Sequence, residues 1–212
     1  MHIPDGILSP AVWSASAIVS AAVLAGSVRH SRRQLDYRAV PVMGVMSAFI
    51  FASQMVNFPI LGAAASGHLI GGALAALLFG FWPATLVMTV VVAIQAIVFQ
   101  DGGITALGTN VLNMAILAPA FAVVTHKLLS KLSFIPKAAA AFVSAWCSVV
   151  LVSLAASVQL ALSGVVGLGD AAAALVFWHT WIGIGEGLIT AVVLPIALRS
   201  SFYLPGKETA SL

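Results

Sequence analysis

Residues Ala84–Phe99 read ATLVMTVVVAIQAIVF, a run that contains no charged side chain. The apolar residues follow one another without the alternation of a barrel strand, so the run is typical of a membrane-spanning helix. Similar runs fill the 212-residue chain, which is 61% hydrophobic and 7% charged and has a mean hydropathy of +1.11. Soluble domains carry about 25% charged residues. The composition therefore excludes a water-soluble globule and predicts an all-α integral membrane protein.

The breaks between apolar runs predict how many helices cross the membrane. A spanning helix needs about 20 apolar residues, so this length has room for about six to eight spans. We interpret residues 1–212 as one domain, a bundle of seven transmembrane helices whose third member is short. The predicted spans cover residues 9–28, 40–56, 68–80, 83–100, 106–125, 137–162 and 171–198.

The basic residues predict the orientation of this bundle. All nine follow the first, fifth or seventh predicted span, and with seven spans these three segments lie on one side of the membrane. The positive-inside rule makes that side the cytoplasm, so we expect the N-terminus outside and the C-terminus in the cytoplasm. The basic residues are Arg29, Arg32, Arg33, Arg38, Lys127, Lys131, Lys137, Arg199 and Lys207.

The N-terminus itself is a candidate metal site. No basic residue precedes the first apolar run, so we expect no signal peptide and a mature chain that begins with the free amine of Met1. His2 then offers three nitrogens to one ion: the terminal amine, its own backbone amide and imidazole Nδ1. Such a planar chelate suits Cu²⁺ or Ni²⁺. His68, at the expected outer mouth of the third span, could be the fourth ligand, although a solvated His2 and an interfacial His68 remain open alternatives.

Other polar residues in apolar surroundings are functional candidates, because burying them in a membrane is costly. Asp101, in an expected outer loop, could orient a ligating imidazole, attract cations or be simply solvated. Asn110 and Asn113 share one face of the fifth span and could close a polar pocket or bond across helices. His179 and Glu186 lie two turns apart on the seventh span. Glu186 is expected too deep to ligate an ion held at the N-terminus, and suits a structural contact or an element that senses a partner.

Several motifs together resemble one known family. The start of the chain, Met1-His2-Ile3-Pro4-Asp5-Gly6 followed by Leu8-Ser9-Pro10, is similar to the start of the M-type substrate-capture (S) components of nickel and cobalt energy-coupling-factor (ECF) transporters. The resemblance covers essentially the whole chain. It continues through Gly67-His68-Leu69, Gln100-Asp101-Gly102-Gly103, Gly108-x-Asn110-x-x-Asn113 and His179-x-x-Ile182-Gly183-Ile184-Gly185-Glu186-Gly187.

The resemblance implies a seven-helix S component that binds Ni²⁺ or Co²⁺ from outside a prokaryotic cell membrane. The implied ligands are the Met1 amine, the amide and imidazole of His2, and the His68 imidazole. Four in-plane nitrogens favour nickel slightly. The metal is the transported ligand, and no resident cofactor and no nucleic-acid partner are expected.

The resemblance also implies partner proteins. These are a transmembrane T subunit, cytoplasmic ATPases and a small accessory membrane subunit. The sequence contains no nucleotide-binding loop, so we expect a transporter subunit and not an enzyme, with ATP hydrolysis carried out by the partners. The chain stops shortly after the seventh predicted span, so we expect any accessory subunit to be separate.

Two functions of other classes stay open as alternatives. A passive divalent-metal channel would need weak binding at several sites, whereas a four-nitrogen chelate should hold its ion tightly. An intramembrane serine hydrolase could use Ser66 and His179 as a nucleophile–base pair. No motif specifies an oxyanion hole for such an enzyme, and His2 would have no role in it.

Overall fold

The computed structural model of the chain describes residues 1–34 and 39–199. Within these residues the fold is helical apart from one short antiparallel hairpin, which the sequence did not predict. Arg38 and Lys207, two of the basic residues from which the orientation is predicted, lie outside the described residues. The elements are α1 (Pro10–Gln34), α2 (Ala39–Gln54), β1 (Phe58–Ile60), β2 (Ala65–Gly67), α3 (Gly72–Phe79), α4 (Phe81–Val98), α5 (Leu107–Val111), a π-helical stretch (Leu112–Leu117), α6 (Ala118–Leu129), α7 (Lys137–Leu162) and α8 (Leu168–Arg199).

In the described part of the chain, five helical segments are long and apolar enough to cross a membrane. They correspond to the first, fourth, fifth, sixth and seventh predicted spans, and helix α7 has the same bounds as the sixth prediction. Helix α2, at 16 residues, corresponds to the second. The protein is therefore a multi-pass membrane protein, while the count of seven crossings and the sides of the two termini stay predictions. The five segments are Pro10–Arg32, Phe81–Val98, Leu107–Leu129, Lys137–Leu162 and Leu168–Arg199.

The prediction of a helix over residues 68–80 is wrong for its first third. Only Gly72–Phe79 is helical, and those 8 residues rise about 12 Å, which is too short to cross a bilayer. Residues 68–71 are irregular and follow directly on strand β2. Gly71 has φ +77°, and a Cβ there would lie 2.8 Å from the Ile50 side chain, so the conformation needs glycine. Apolar content alone does not distinguish such a buried irregular segment from a helix.

Small residues allow the helices to approach one another closely. A Cβ on Gly108 would lie 2.5 Å from the Cα of Ala17, so α5 and α1 meet with their backbones nearly in contact. The buried core also includes the first residues of the chain, since Met1 and Ile3 are 1% and 0% exposed. The outer faces of the long helices instead display large apolar side chains, as expected for surfaces in contact with lipid.

Candidate metal centre

The N-terminal tail is inserted into the bundle as a buried extended segment. Ile3 N–H donates to Oδ1 of Asn110 at 2.9 Å, and Nδ2 of Asn110 donates to the Ile3 carbonyl at 3.0 Å. The same carbonyl accepts the N–H of Gly103 at 3.1 Å. Pro4 favours the extended conformation at Ile3. Asn110 therefore substitutes for a neighbouring strand and fixes the position of the tail.

The other side of the tail runs along strand β2. His2 N–H donates to Ser66 Oγ at 2.9 Å, and the His2 carbonyl accepts the Ser66 N–H at 3.0 Å. His179 makes its hydrogen bond through Nδ1 to the Leu175 carbonyl, and its Nε2 has no partner within the described residues. No Ser66–His179 hydrogen bond is therefore formed there, so the pair required by a serine hydrolase is not assembled.

Three predicted ligand residues meet at the end of the tail. The Met1 amine contacts Nε2 of His68, and the rings of His2 and His68 stack with centroids 4.8 Å apart. Nδ1 of His68 faces the Leu69 carbonyl at 2.6 Å, which assigns the proton to Nδ1 and leaves Nε2 unprotonated beside the Met1 amine. Both ring nitrogens of His2 are buried and make no hydrogen bond of ordinary geometry with the described residues. Such unpaired buried nitrogens need an explanation, and a bound ion would provide one.

Burial keeps these nitrogens uncharged. It lowers the pKa of the Met1 amine well below its usual value of 8.0. It also lowers the pKa of His2 from 6.5 to about 3. A neutral amine and a neutral imidazole keep the lone pairs that a metal requires.

Asp101 lies beside this group without bonding to it. Its Oδ2 is 4.0 Å from Nε2 of His2, which is beyond hydrogen-bond range. The same oxygen accepts a hydrogen bond from Nδ2 of Asn57 at 2.9 Å. Partial burial raises the pKa of Asp101. In this arrangement Asp101 does not orient the imidazole. It can act on a cation only through its charge.

The loop that contains Asp101 is fitted closely around the tail. Gly102 has φ +90°, and a Cβ there would lie 2.9 Å from Nδ1 of His2. Asp5, which was expected only to help bend the tail back toward the bundle, accepts the N–H groups of Ile104 and Thr105 at 3.0 and 2.7 Å. Its Oδ1 also accepts the Thr105 hydroxyl. Loop and tail therefore fix each other's position.

The two predicted asparagines have different partners. Asn110 holds the tail, whereas Asn113 exchanges two hydrogen bonds with Gln159 of α7, at 2.7 and 2.8 Å. Asn113 lies in the π-helical stretch, where the wider turn changes the angle between successive side chains. The spacing that places two residues on one helical face therefore does not bring both to the tail. Asn113 bonds across helices instead of closing a pocket.

Glu186 supports the irregular segment that follows His68. Its two carboxylate oxygens accept the N–H groups of Ile70 and Gly71 at 2.7 and 2.9 Å, and Gln54 donates to the Ile70 carbonyl at 2.5 Å. Non-helical backbone at membrane depth is tolerated only where its polar groups are satisfied inside the protein. Glu186 thus makes a structural contact, one of the two roles expected for it. Gln54 is not among the residues predicted from the sequence, where its only signal is an amide at the end of an apolar helix.

Comparison with known proteins identifies the family of the chain. Residues 2–201 match the family model CbiM, described as cobalt uptake substrate-specific transmembrane region. The chain belongs to this family. Family membership confirms the resemblance drawn from the sequence motifs. The names of its relatives are those of metal transport proteins, in agreement with the prediction of a transporter subunit rather than an enzyme.

Individual relatives of this CbiM-family chain include nickel and cobalt transport proteins. It is 39% identical over 196 residues to the putative fused nickel transport protein NikMN of Archaeoglobus fulgidus, covering 92% of this chain and 64% of that protein. It is 30% identical over 210 residues to the cobalt transport protein CbiM of Streptomyces coelicolor, covering 95% and 90%. A crystal structure of a truncated transition metal transporter matches with a TM-score of 0.88 and 32% identity, covering 93% of this chain and 98% of that one.

Proposed function

We propose that this chain captures Ni²⁺ or Co²⁺ on the extracytoplasmic side of a prokaryotic cell membrane. The proposed ligands are the Met1 amine, the backbone nitrogen and Nδ1 of His2, and Nε2 of His68. The observation that carries the proposal is the buried His2 imidazole, unpaired at both nitrogens and stacked on His68 beside the Met1 amine. Within the described residues, no three His, Cys, Asp or Glu side chains cluster closely enough to hold a metal. The proposed site would use the terminal amine and the backbone nitrogen beside the two imidazoles.

The chemistry of this donor set favours nickel slightly over cobalt. Binding would remove the proton from the His2 amide, which the structure shows donated to Ser66 Oγ, and the nitrogen lone pair would then bond to the ion. The released proton passes to solvent. Four nitrogens in one plane suit the square-planar preference of Ni²⁺.

Delivery across the membrane is proposed to require partners: a T subunit, cytoplasmic ATPases and a small accessory membrane subunit. The chain would be the substrate-binding subunit of an ATP-driven ECF-type importer. Relatives named as nickel and cobalt transport proteins support this role. A buried chelate fits capture and energised release better than a passive channel, which needs weak binding so that ions can leave.

Replacing the proposed ligands tests the site. His2→Ala and His68→Ala should each weaken Ni²⁺ binding, measured by calorimetry, by more than about a hundredfold, since changes outside the ligand shell alone cost about 10–100-fold. The matched control is His30→Ala, because His30 stacks on Trp82 near the far end of α1. Full affinity in either ligand variant, or an equal loss in the control, would contradict the proposed site.

A further inference from the structure

A cavity lies far from the N-terminal tail. It encloses about 770 Å³ between α6, α7, the connection between them and the end of α8. His126, in its wall, is sixteen residues beyond Asn110 along the same helical run, or about 24 Å at 1.5 Å per residue. The cavity is therefore separate from the candidate metal centre, and the proposed function leaves it without a role.

The charged and hydroxyl groups that line this cavity would attract an anion. Lys137, the first residue of α7, and Arg199, the last residue of α8, both line it, together with Ser130 and Ser133. Among the described residues that line it there is no aspartate or glutamate. The described lining thus combines two positive charges with two hydroxyl groups.

A buried, unpaired histidine is the second observation that points to a ligand. His126 is 8% exposed, and neither of its ring nitrogens makes a hydrogen bond of ordinary geometry with the described residues, although the ring has a weaker interaction with the Ala140 backbone. The N-terminus of α7 adds to this environment. Its N-cap, Pro136, provides no side-chain cap, and Lys137, Ala138 and Ala140 of the first turn line the cavity. Uncapped helix N-termini favour anions.

The remaining wall is apolar and continuous with the outer surface of the bundle. Leu194 and Ile196 of α8 and Leu132 of the connection line the cavity, and Ile196 and Leu132 are 64% and 41% exposed. The basic side chains stand at the ends of α7 and α8, two segments long enough to span a membrane, and so at the level of lipid headgroups. A soluble phosphate would use only the polar half of such a site.

We propose that this cavity binds an anionic phospholipid. The phosphate would lie among Lys137, Arg199 and His126, with the Ser130 and Ser133 hydroxyls beside it, and an acyl chain would follow the apolar surface of Leu194 and Ile196. Basic pockets between membrane helices bind anionic headgroups in this way. The proposal does not depend on metal binding.

The test measures phosphatidylglycerol binding to the purified full-length chain by native mass spectrometry, with phosphatidylcholine and inorganic phosphate as comparison probes. Lys137→Gln/Arg199→Gln should weaken phosphatidylglycerol binding about thirtyfold, because each basic side chain near a membrane surface contributes about fivefold. The matched control, Lys127→Gln/Lys131→Gln, removes the same charge from the same end of the bundle but from outside the cavity lining. It should change binding by less than about threefold.

Equal loss of phosphatidylglycerol binding in both double variants would overturn the proposal. So would phosphatidylcholine or inorganic phosphate that binds as tightly as phosphatidylglycerol. Unchanged lipid binding together with impaired partner-dependent uptake would overturn it as well. The last result would assign the cavity to a protein partner. Should the double variant fail to fold, salt provides the second test on the unaltered chain. Raising NaCl from about 0.05 M to about 0.5 M should release phosphatidylglycerol selectively.

Discussion

The outer helices and the buried centre of this protein are stabilised in different ways. On α1 and α8, side chains such as Ile18 and Ile196 are 72% and 64% exposed, as lipid contact allows. In the centre, the tail at Ile3 and the segment at Ile70 have no helical hydrogen bonds, and each depends on specific side chains of other elements. The outer faces need only to be apolar, whereas the centre needs particular residues.

The effect of a substitution on stability and metal affinity should therefore depend on which of the two regions it changes. An apolar exchange on a lipid-facing surface removes no hydrogen bond. Removing one polar partner in the centre leaves a buried backbone group unsatisfied, at a cost of about 1–3 kcal/mol. The candidate ligands are carried by the irregular centre, so metal affinity should respond to changes there and hardly at all to matched changes elsewhere.

Acidification should have the largest effect on the centre. Burial lowers the pKa of His2 to about 3 and that of the Met1 amine well below its usual value, so only the His2 amide proton has to leave when Ni²⁺ binds near neutral pH. Nickel affinity should then fall about tenfold per pH unit below pH 8, while helix content by circular dichroism stays constant. The unfolded chain takes up the protons that these two buried groups refuse, so their contribution to the stability of the fold should be complete above about pH 8 and should be lost as the pH falls.

The slope of this dependence is the decisive quantity. A slope of about one proton is expected from the amide alone. A slope near zero would contradict amide ligation. A slope of two or three would mean that the amine or an imidazole also titrates, and that burial does not keep them neutral.

A smaller loss of affinity is expected from Gly102→Ala. The added Cβ would lie 2.9 Å from Nδ1 of His2, and φ is +90°. Overpacking of this kind costs about 1–3 kcal/mol, or up to about a hundredfold in nickel affinity by calorimetry. Gly164→Ala is the matched control, because Gly164 also has a positive φ, +71°, but has nothing within 4 Å of the added Cβ. Equal effects of the two substitutions would show that backbone strain, and not contact with His2, is responsible.

The pair Asn110 and Asn113 offers the finest comparison. Asn110→Ala removes both side-chain hydrogen bonds to Ile3, so part of the binding energy must be used to order the tail, and nickel affinity should fall about tenfold. Asn113→Ala breaks the pair with Gln159 and should lower the melting temperature with little change in affinity. Similar losses of affinity in the two variants would contradict a specific role of Asn110 in holding the tail.

The sequence predicted best what depends on apolar length and on ligand chemistry. The bounds of α7 were predicted because one unbroken apolar run extends over its whole length. Met1, His2 and His68 were grouped although 67 residues separate the first and last, because a histidine at position two has a specific chelating chemistry. The structure does bring these three residues together.

What the sequence could not predict depends on pairings between distant segments. Nothing local indicates that Glu186 holds the backbone at Ile70, 116 residues away, or that Asp5 caps the loop at Thr105. The third predicted span failed for the same reason, since its first residues are stabilised by partners on α2 and α8 and not by helical hydrogen bonds. The π-helical stretch similarly separated Asn113 from Asn110.

The most direct test of the central claim is the absorption spectrum and magnetism of the nickel complex, recorded for the chain beginning at Met1 and for a variant with one extra residue before Met1. Met1 is 1% exposed and its amine contacts His68, so the extra residue would move the amine away from its place beside His2. We predict a stoichiometric, yellow, diamagnetic complex for the first chain and its loss in the second. An identical complex in both chains, or a paramagnetic complex in the first, would contradict ligation by the terminal amine and the His2 amide.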